Sequence, residues 1–323
     1  MPLFDMPLED LRAYKPPRAE PDDFDNFWQA TLQEARAQEL DAVFERADMG
    51  LMTVDVYDVS FSGFNGDRIK GWYMRPRGSS DPLPGVVEYI GYGGGRGFPH
   101  EWLAFPSAGF AYLVMDTRGQ GSVWRRGDTA DIGSGANPAT PGFMTQGILD
   151  RQTYYYRRLY TDAVRAVEAI RSRADVDGER IAVTGASQGG GMSIAVAGLL
   201  PDVQVCLADV PFLQHFRRAL DITPKDPYPE IARYLQIHRD KIEAVFHTLS
   251  YFDGMHFAAR MRARALYSVG LMDTICPPST VYASYNHVSS EKAIIEYYFN
   301  NHEGGGAHHL LEKIRYLREL WRA

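Results

Sequence analysis

Short apolar runs alternate with longer amphipathic stretches along most of the chain. The runs at 84–90 (PGVVEYI) and 110–116 (FAYLVMD) are continuous, which is typical of strands buried on both faces of a parallel sheet. Four later runs have the same character, at 180–185, 203–209, 265–271 and 293–299. Between and around the runs, helical periodicity predicts helices over 22–38, 156–173, 188–199, 278–288 and 308–322.

This alternation predicts an α/β fold with a mostly parallel, doubly wound central sheet and helices on both faces. Residues 53–61 and 68–76 instead alternate polar and apolar positions around the turn SGFNGD, which predicts a hairpin at a sheet edge. The helix over 22–38 forms an N-terminal helical extension. We expect one domain over 1–323.

The alternation of strands and helices is interrupted at residues 211–260, which contain no convincing strand. We interpret this segment as a helical insertion over the C-terminal edge of the sheet, suited to a lid or a subunit contact. Helices packed only for stability are the alternative.

Composition excludes several classes of protein. The 323 residues are 45% hydrophobic, and the net charge of -7 argues against a nucleic-acid partner, which needs a basic face. No run approaches the roughly 18 apolar residues of a membrane span, and the acidic, proline-rich start lacks the pattern of a secretory signal. We therefore expect a cytoplasmic protein without a membrane partner, whose two cysteines, Cys206 and Cys276, are buried free thiols.

The segment GASQG at 185–189 matches G-x-S-x-G between a strand and a helix, the context of a nucleophile elbow. Such a turn strains the backbone of Ser187, and small residues at Gly185 and Gly189 keep neighbouring atoms clear of it. A helix-capping serine in a glycine-rich connector is the alternative. A dinucleotide fingerprint fails, because Ser187 stands where its middle glycine belongs.

A serine nucleophile needs a histidine base and a carboxylate that orients it, in the chain order serine, acid, histidine. Asp273 follows the strand at 265–271, whereas its rival Asp253 lies within the helical segment and follows no strand. His302 comes directly after the last strand, and His308 and His309 stand at the entry to the last helix. We predict Asp273 and His302.

Histidines here do not predict a metal site. A zinc motif H-E-x-x-H starting at His302 fails because its last position is Gly306, and no other cluster has metal-ligand spacing.

An oxyanion hole requires two backbone N–H groups. One comes from the residue after the nucleophile, Gln188, and the other from the glycine-rich loop at 88–97, where Tyr92 is the candidate. This loop lacks the Lys-Ser or Lys-Thr of a phosphate cradle, and a merely flexible turn is the alternative. Arg118 follows the strand at 110–116 and is expected to hold loops around the site through bidentate hydrogen bonds.

These segments together resemble carbohydrate esterase family 7, the acetyl xylan esterases and cephalosporin-C deacetylases. The resemblance covers almost the whole chain and rests on RGQGS (118–122), GASQGGG (185–191), DVPF (209–212), GLMDTICPP (270–278) and NHEGG (301–305).

The resemblance implies an α/β-hydrolase fold, no metal or other cofactor, and removal of acetyl groups from small esters such as acetylated xylo-oligosaccharides and cephalosporin C. It places the nucleophile on Ser187, the acid on Asp273, the base on His302 and the oxyanion donors on Tyr92 and Gln188. It also implies a homo-oligomer, a hexamer whose active sites face an internal cavity.

Two other functions are compatible with the same motifs. A serine peptidase of the prolyl-oligopeptidase type would share the fold, but the roughly 80 residues before the first core strands leave no room for its usual N-terminal module. A hydrolase fold kept as a binding module is the second alternative, although binding alone requires no nucleophile.

Overall fold

The computed structural model describes residues 3–133, 135 and 137–322. Within them the chain forms one mixed sheet of nine strands. The strands are β1 Val43–Ala47, β2 Val54–Ser62, β3 Arg68–Pro76, β4 Leu83–Tyr89, β5 Ala111–Met115, β6 Val176–Ala186, β7 Val205–Asp209, β8 Arg264–Gly270 and β9 Lys292–Tyr297.

The strand order is β1-β2-β3-β5-β4-β6-β7-β8-β9, and the strands from β5 to β9 in this order are all parallel. The first three strands are antiparallel. The expected hairpin exists as β2 and β3, but its position at the edge was wrong, because β1 pairs with β2 outside it. The largely exposed strand β1 buries no face, so it lacks the apolar alternation that would have revealed it.

Helices cover both faces of the sheet, as the alternation predicted. In chain order they are α1 Leu8–Ala13, α2 Phe24–Arg36, α3 Ala104–Ser107, α4 Tyr155–Arg171, α5 Gln188–Leu199, α6 Phe216–Ile222, α7 Pro229–Ile237, α8 Ile242–Ser250, α9 Gly254–Ala258, α10 Pro278–Tyr285 and α11 Gly306–Trp321. The segment 211–260 is helical, as expected, and contains α6 to α9. Helix α1 was not predicted, because six residues give too short a period to recognise.

Successive residues of the central strands contribute to different cores. In β4, Val86 packs into the core that contains Leu317 of α11, whereas Val87 packs into the larger core of α4 and α5. Both faces of the strand are therefore buried away from solvent, which explains why the strand sequences are continuous apolar runs. No helix in the described part of the chain is long and apolar enough to cross a membrane.

One buried cation joins the loop after β5 to helix α4. The guanidinium of Arg118 donates to both carboxylate oxygens of Asp162, at 2.7 and 2.9 Å, and both side chains are fully buried. It also donates to Asp67 at 2.6 Å and to Asp131 at 3.3 Å. The bidentate contact is the one that the sequence predicted for Arg118, and it fixes the start of the loop that contains Gln120.

We expect the substitution Arg118→Met to lower the free energy of unfolding by about 3–5 kcal/mol, because it leaves the Asp162 carboxylate buried without its cation. The matched control is Arg126→Met, whose exposed ion pair with Asp128 should cost less than about 1 kcal/mol. Urea denaturation followed by circular dichroism measures both changes. Equal losses for the two variants would show that burial of the Arg118 pair has no special weight.

Candidate active site

Ser187 stands between β6 and α5 in a backbone conformation that L-residues rarely adopt, with φ 58° and ψ −119°. Backbone hydrogen bonds stabilise this strained conformation. The Ser187 N–H donates to the carbonyl of Asp209, and the Ser187 carbonyl accepts the N–H groups of Phe212 and Gly191, all within 3.0 Å. Such a conformation costs on the order of 1–3 kcal/mol and persists only where the surroundings enforce it.

The two glycines beside the serine have no space for a side chain. A Cβ on Gly189 would lie 2.1 Å from the Tyr89 carbonyl oxygen, and one on Gly185 would lie 2.5 Å from the same atom. Strand β4 and the start of α5 therefore approach at backbone distance, as expected from the small residues of the motif. The turn can be this sharp only because both positions are glycine.

Asp273 and His302 meet although 29 residues separate them. Nδ1 of His302 lies 2.8 Å from Oδ2 of Asp273, which is fully buried in the loop after β8. The other carboxylate oxygen accepts the N–H groups of Ile275 and Cys276 at 2.8 and 3.0 Å. With both oxygens held, the carboxylate fixes the orientation of the imidazole, whose side chain is 27% exposed.

Ser187 and His302 line the same cavity of about 430 Å³ at the C-terminal end of the parallel strands. Burial raises the pKa of the Cys276 thiol well above its usual value, the charge of Asp273 adds to the rise, and the Ser187 hydroxyl opposes it. Among the described residues, no hydrogen bond links the Ser187 hydroxyl to the ring of His302. In unliganded enzymes such bonds often tighten only when substrate binds.

Two backbone donors beside Ser187 are unused. Gln188 is the first residue of α5, so its N–H has no acceptor within the helix. The N–H of Tyr92 has no acceptor within the part of the chain that the structure describes. The loop of Tyr92 passes close to Ser187, since a Cβ on Gly91 would lie 3.9 Å from the Cβ of Ser187.

Gln120, in the RGQG segment, connects the two candidate oxyanion donors. Its amide oxygen accepts the N–H of Gly93 at 2.6 Å, and its amide nitrogen donates to the side chain of Gln188 at 2.9 Å. The Gln188 side chain in turn donates to the carbonyl of Ile90 at 3.1 Å. The loop after β4 and the start of α5 are thus held at a fixed separation, which agrees with the scaffold role expected of this segment.

Glu230 of α7 was missed by the sequence analysis. The phenol of Tyr92 donates to its carboxylate, with oxygen distances of 2.8 and 2.9 Å, and accepts the N–H of Phe143 at 2.9 Å. The N–H of Met144 also donates to Glu230 at 3.2 Å. Burial raises the pKa of Glu230, although these donors oppose the rise. No motif surrounds Glu230, so no sequence signal could have found it.

Three residues of the insertion 211–260 line the cavity. They are Asp226, Pro227 and Glu230, and Ile275 and Trp124 line the same cavity. Trp124 also donates its indole N–H to the carbonyl of Tyr92 at 2.9 Å. The segment therefore forms part of the wall of the site.

The rival residues have other contacts. Asp253 accepts the N–H groups of His215, Phe216 and Met255, so its carboxylate caps the starts of α6 and α9. His309 is buried 3.1 Å from Asp209, beside a separate cavity of about 270 Å³. His308 lies in the first turn of α11, and His308, His309 and Asp253 are all absent from the lining of the Ser187 cavity.

Comparison with known proteins gives consistent matches over nearly the whole chain. An acetyl xylan esterase from Paenibacillus sp. R4 is 41% identical to this chain in sequence. The two structures superpose with a TM-score of 0.91, over 97% of this chain and 99% of that one. An acetyl xylan esterase from Thermoanaerobacterium sp. JW/SL YS485 is 33% identical with a TM-score of 0.89, over 98% and 100% of the two chains.

Acetyl esterase Axe7A of Xylanibacter ruminicola is 30% identical over 293 residues, which are 89% of this chain. The match spans 65% of the length of that curated relative. An acylaminoacyl peptidase from Pyrococcus horikoshii shares only the fold, at 15% identity and a TM-score of 0.61, over 84% of this chain and 42% of that one.

The family model described as acetyl xylan esterase (AXE1) matches residues 1–320. The chain therefore has the α/β-hydrolase fold and belongs to the acetyl xylan esterase family.

Proposed function

We propose that the chain is a serine carboxylesterase that removes acetyl groups from small substrates through an acetyl-enzyme on Ser187. The observation that carries the proposal is the shared cavity, in which a strained serine faces the same space as a histidine held by a buried carboxylate. Acetylated xylo-oligosaccharides and cephalosporin C are the proposed substrates, on the strength of the family.

In the proposed mechanism, the free ring nitrogen of His302 takes the proton of Ser187 as its oxygen attacks the acetyl carbonyl. The N–H groups of Tyr92 and Gln188 then bind the oxyanion. His302 returns the proton to the departing alcohol, leaving the acetyl group on Ser187. Water repeats the sequence, releases acetate and restores the serine, while Asp273 stabilises the charged imidazole.

A peptidase of the prolyl-oligopeptidase type is not favoured. The described residues before β4 form the helices α1 and α2 and the strands β1, β2 and β3. These three strands belong to the central nine-stranded sheet, so this part of the chain is not a separate module. Likeness to the acylaminoacyl peptidase concerns the fold alone. The homo-oligomer, a hexamer by resemblance, stays a prediction that light scattering tests.

We expect Ser187→Ala to lower kcat for p-nitrophenyl acetate at least about 1,000-fold, because no other group in the cavity replaces the nucleophile. A fluorophosphonate probe should label the unchanged protein and fail to label this variant. Ser193→Ala, six residues further along α5 and outside the cavity lining, is the control and should retain labelling. Turnover by Ser187→Ala near the original rate would reject the assignment.

The acyl preference tests the substrate class. A single cavity of about 430 Å³ must hold both the acyl group and the alcohol, so a long acyl chain competes with the alcohol for space. We expect kcat/KM to fall by at least about tenfold from the acetate to the octanoate p-nitrophenyl ester. A value for octanoate equal to or above that for acetate would contradict the deacetylase proposal.

Glu230 is the proposed positioning residue for the oxyanion donor Tyr92. Glu230→Ala should lower kcat about tenfold with little change in KM, because the loop loses an anchor that matters most when the oxyanion forms. Glu230→Gln should lose less, since its amide oxygen still accepts from the phenol.

The double-mutant cycle with Tyr92→Phe distinguishes this role from a general structural one. In the Tyr92→Phe background, Glu230→Ala should cause little further loss of kcat. Additive losses would mean that Glu230 acts independently of Tyr92.

A further inference from the structure

A buried thiol lies beside the proposed Asp273–His302 pair and has no step in the mechanism. Cys276 is fully buried, and its N–H donates to Oδ1 of Asp273 at 3.0 Å. Ligand atoms of Asp273, Cys276 and His302 all lie within 4.8 Å of one another. Over residues 3–133, 135 and 137–322, no other group of three such side chains is close enough to share a metal ion.

The three side chains form a ligand set of one thiolate, one imidazole and one carboxylate. Zn²⁺ takes these ligands with tetrahedral geometry, and a site with three protein ligands leaves the fourth position open. A thiolate favours Zn²⁺ and Cd²⁺, whereas Mg²⁺ prefers oxygen ligands alone. The negative charges of a deprotonated Cys276 and of Asp273 together balance a divalent ion.

We propose that Asp273, Cys276 and His302 form an inhibitory binding site for a thiophilic divalent cation such as Zn²⁺ or Cd²⁺. Binding at Nδ1 replaces the hydrogen bond between His302 and Asp273 with bonds to the metal. The Nδ1 proton of the imidazole moves to Nε2, and the proton of the Cys276 thiol passes to solvent. His302 then cannot accept the proton of Ser187. The inhibition rests on the proposed esterase function, whereas the binding does not.

Access to this site leads through the substrate cavity. His302 is partly exposed and lines that cavity, whereas Asp273 and Cys276 have no exposed surface. The ion must therefore enter from the cavity that Ser187 lines together with His302. Substrate and metal therefore compete for one entrance.

Binding is measured first without catalysis, in the Ser187→Ala variant with Co²⁺ as probe. A bound thiolate gives a charge-transfer absorption band in the near ultraviolet, and equilibrium dialysis with Zn²⁺ should show one ion that displaces Co²⁺. Adding Cys276→Ser should abolish the band. Cys206→Ala is the matched control, since Cys206 is the other cysteine of the chain and lies buried in β7; it should retain the band.

Inhibition is then measured with p-nitrophenyl acetate. Micromolar Zn²⁺ should inhibit the unchanged protein and Cys206→Ala, competitively with substrate, and Mg²⁺ should not. The Zn²⁺ concentration for half inhibition should rise at least tenfold in Cys276→Ala and Cys276→Ser, each compared with its own metal-free rate.

Equal Zn²⁺ sensitivity in the Cys276 variants would overturn the proposal, as would the absence of a thiolate band in the Ser187→Ala protein. The Co²⁺ band arises in protein that keeps both cysteines, so the first test stands even if the Cys276 variants fold poorly. A band in a protein without esterase activity would support the site and reject the function. Esterase activity without a thiolate band would support the function and reject the metal site.

Discussion

The strained turn at Ser187 is the constraint on which the rest of the site depends. Its backbone is held from three directions, by the carbonyl of Asp209 and by the N–H groups of Phe212 and Gly191. Asp209 is the last residue of β7, Gly191 lies in α5, and Phe212 lies in the loop between β7 and α6. The conformational cost of the turn is offset by the packing of the whole C-terminal edge, so the position of Ser187 is a property of the fold.

Side-chain hydrogen bonds fix the segments that surround the Ser187 turn. Ser187 is flanked by the N–H groups of Gln188 and Tyr92, which have no acceptor among the described residues, and both residues are fixed through other atoms. Gln120 bridges the two segments, and Glu230 holds the Tyr92 phenol from the insertion. Donors fixed in this way need no reorganisation when negative charge develops beside them, and this preorganisation is usually the largest contribution to acyl transfer. The insertion thus contributes both to the wall of the cavity and to the position of Tyr92.

The Cys276 thiol adds a possible metal ligand to the proposed Asp273–His302 pair. A well-oriented imidazole beside a buried carboxylate is suited to proton transfer, and a neighbouring sulfur makes the pair suited to a soft cation as well. Burial favours the protonated thiol in the absence of metal. The two uses exclude one another, because the metal would occupy the ligand atoms that the proton transfer requires.

The sequence by itself determined the sheet, its parallel strands and the segments that hold Ser187, Asp273 and His302, because continuous apolar runs and glycine spacing follow from local backbone and burial requirements. Tertiary structure alone decided what meets at the site. Strand β1 has no buried face to mark it, Glu230 has no motif, and Cys276 joins His302 across 26 positions of the chain. Those contacts depend on how separate elements pack at the sheet edge, and local periodicity contains no information about that packing.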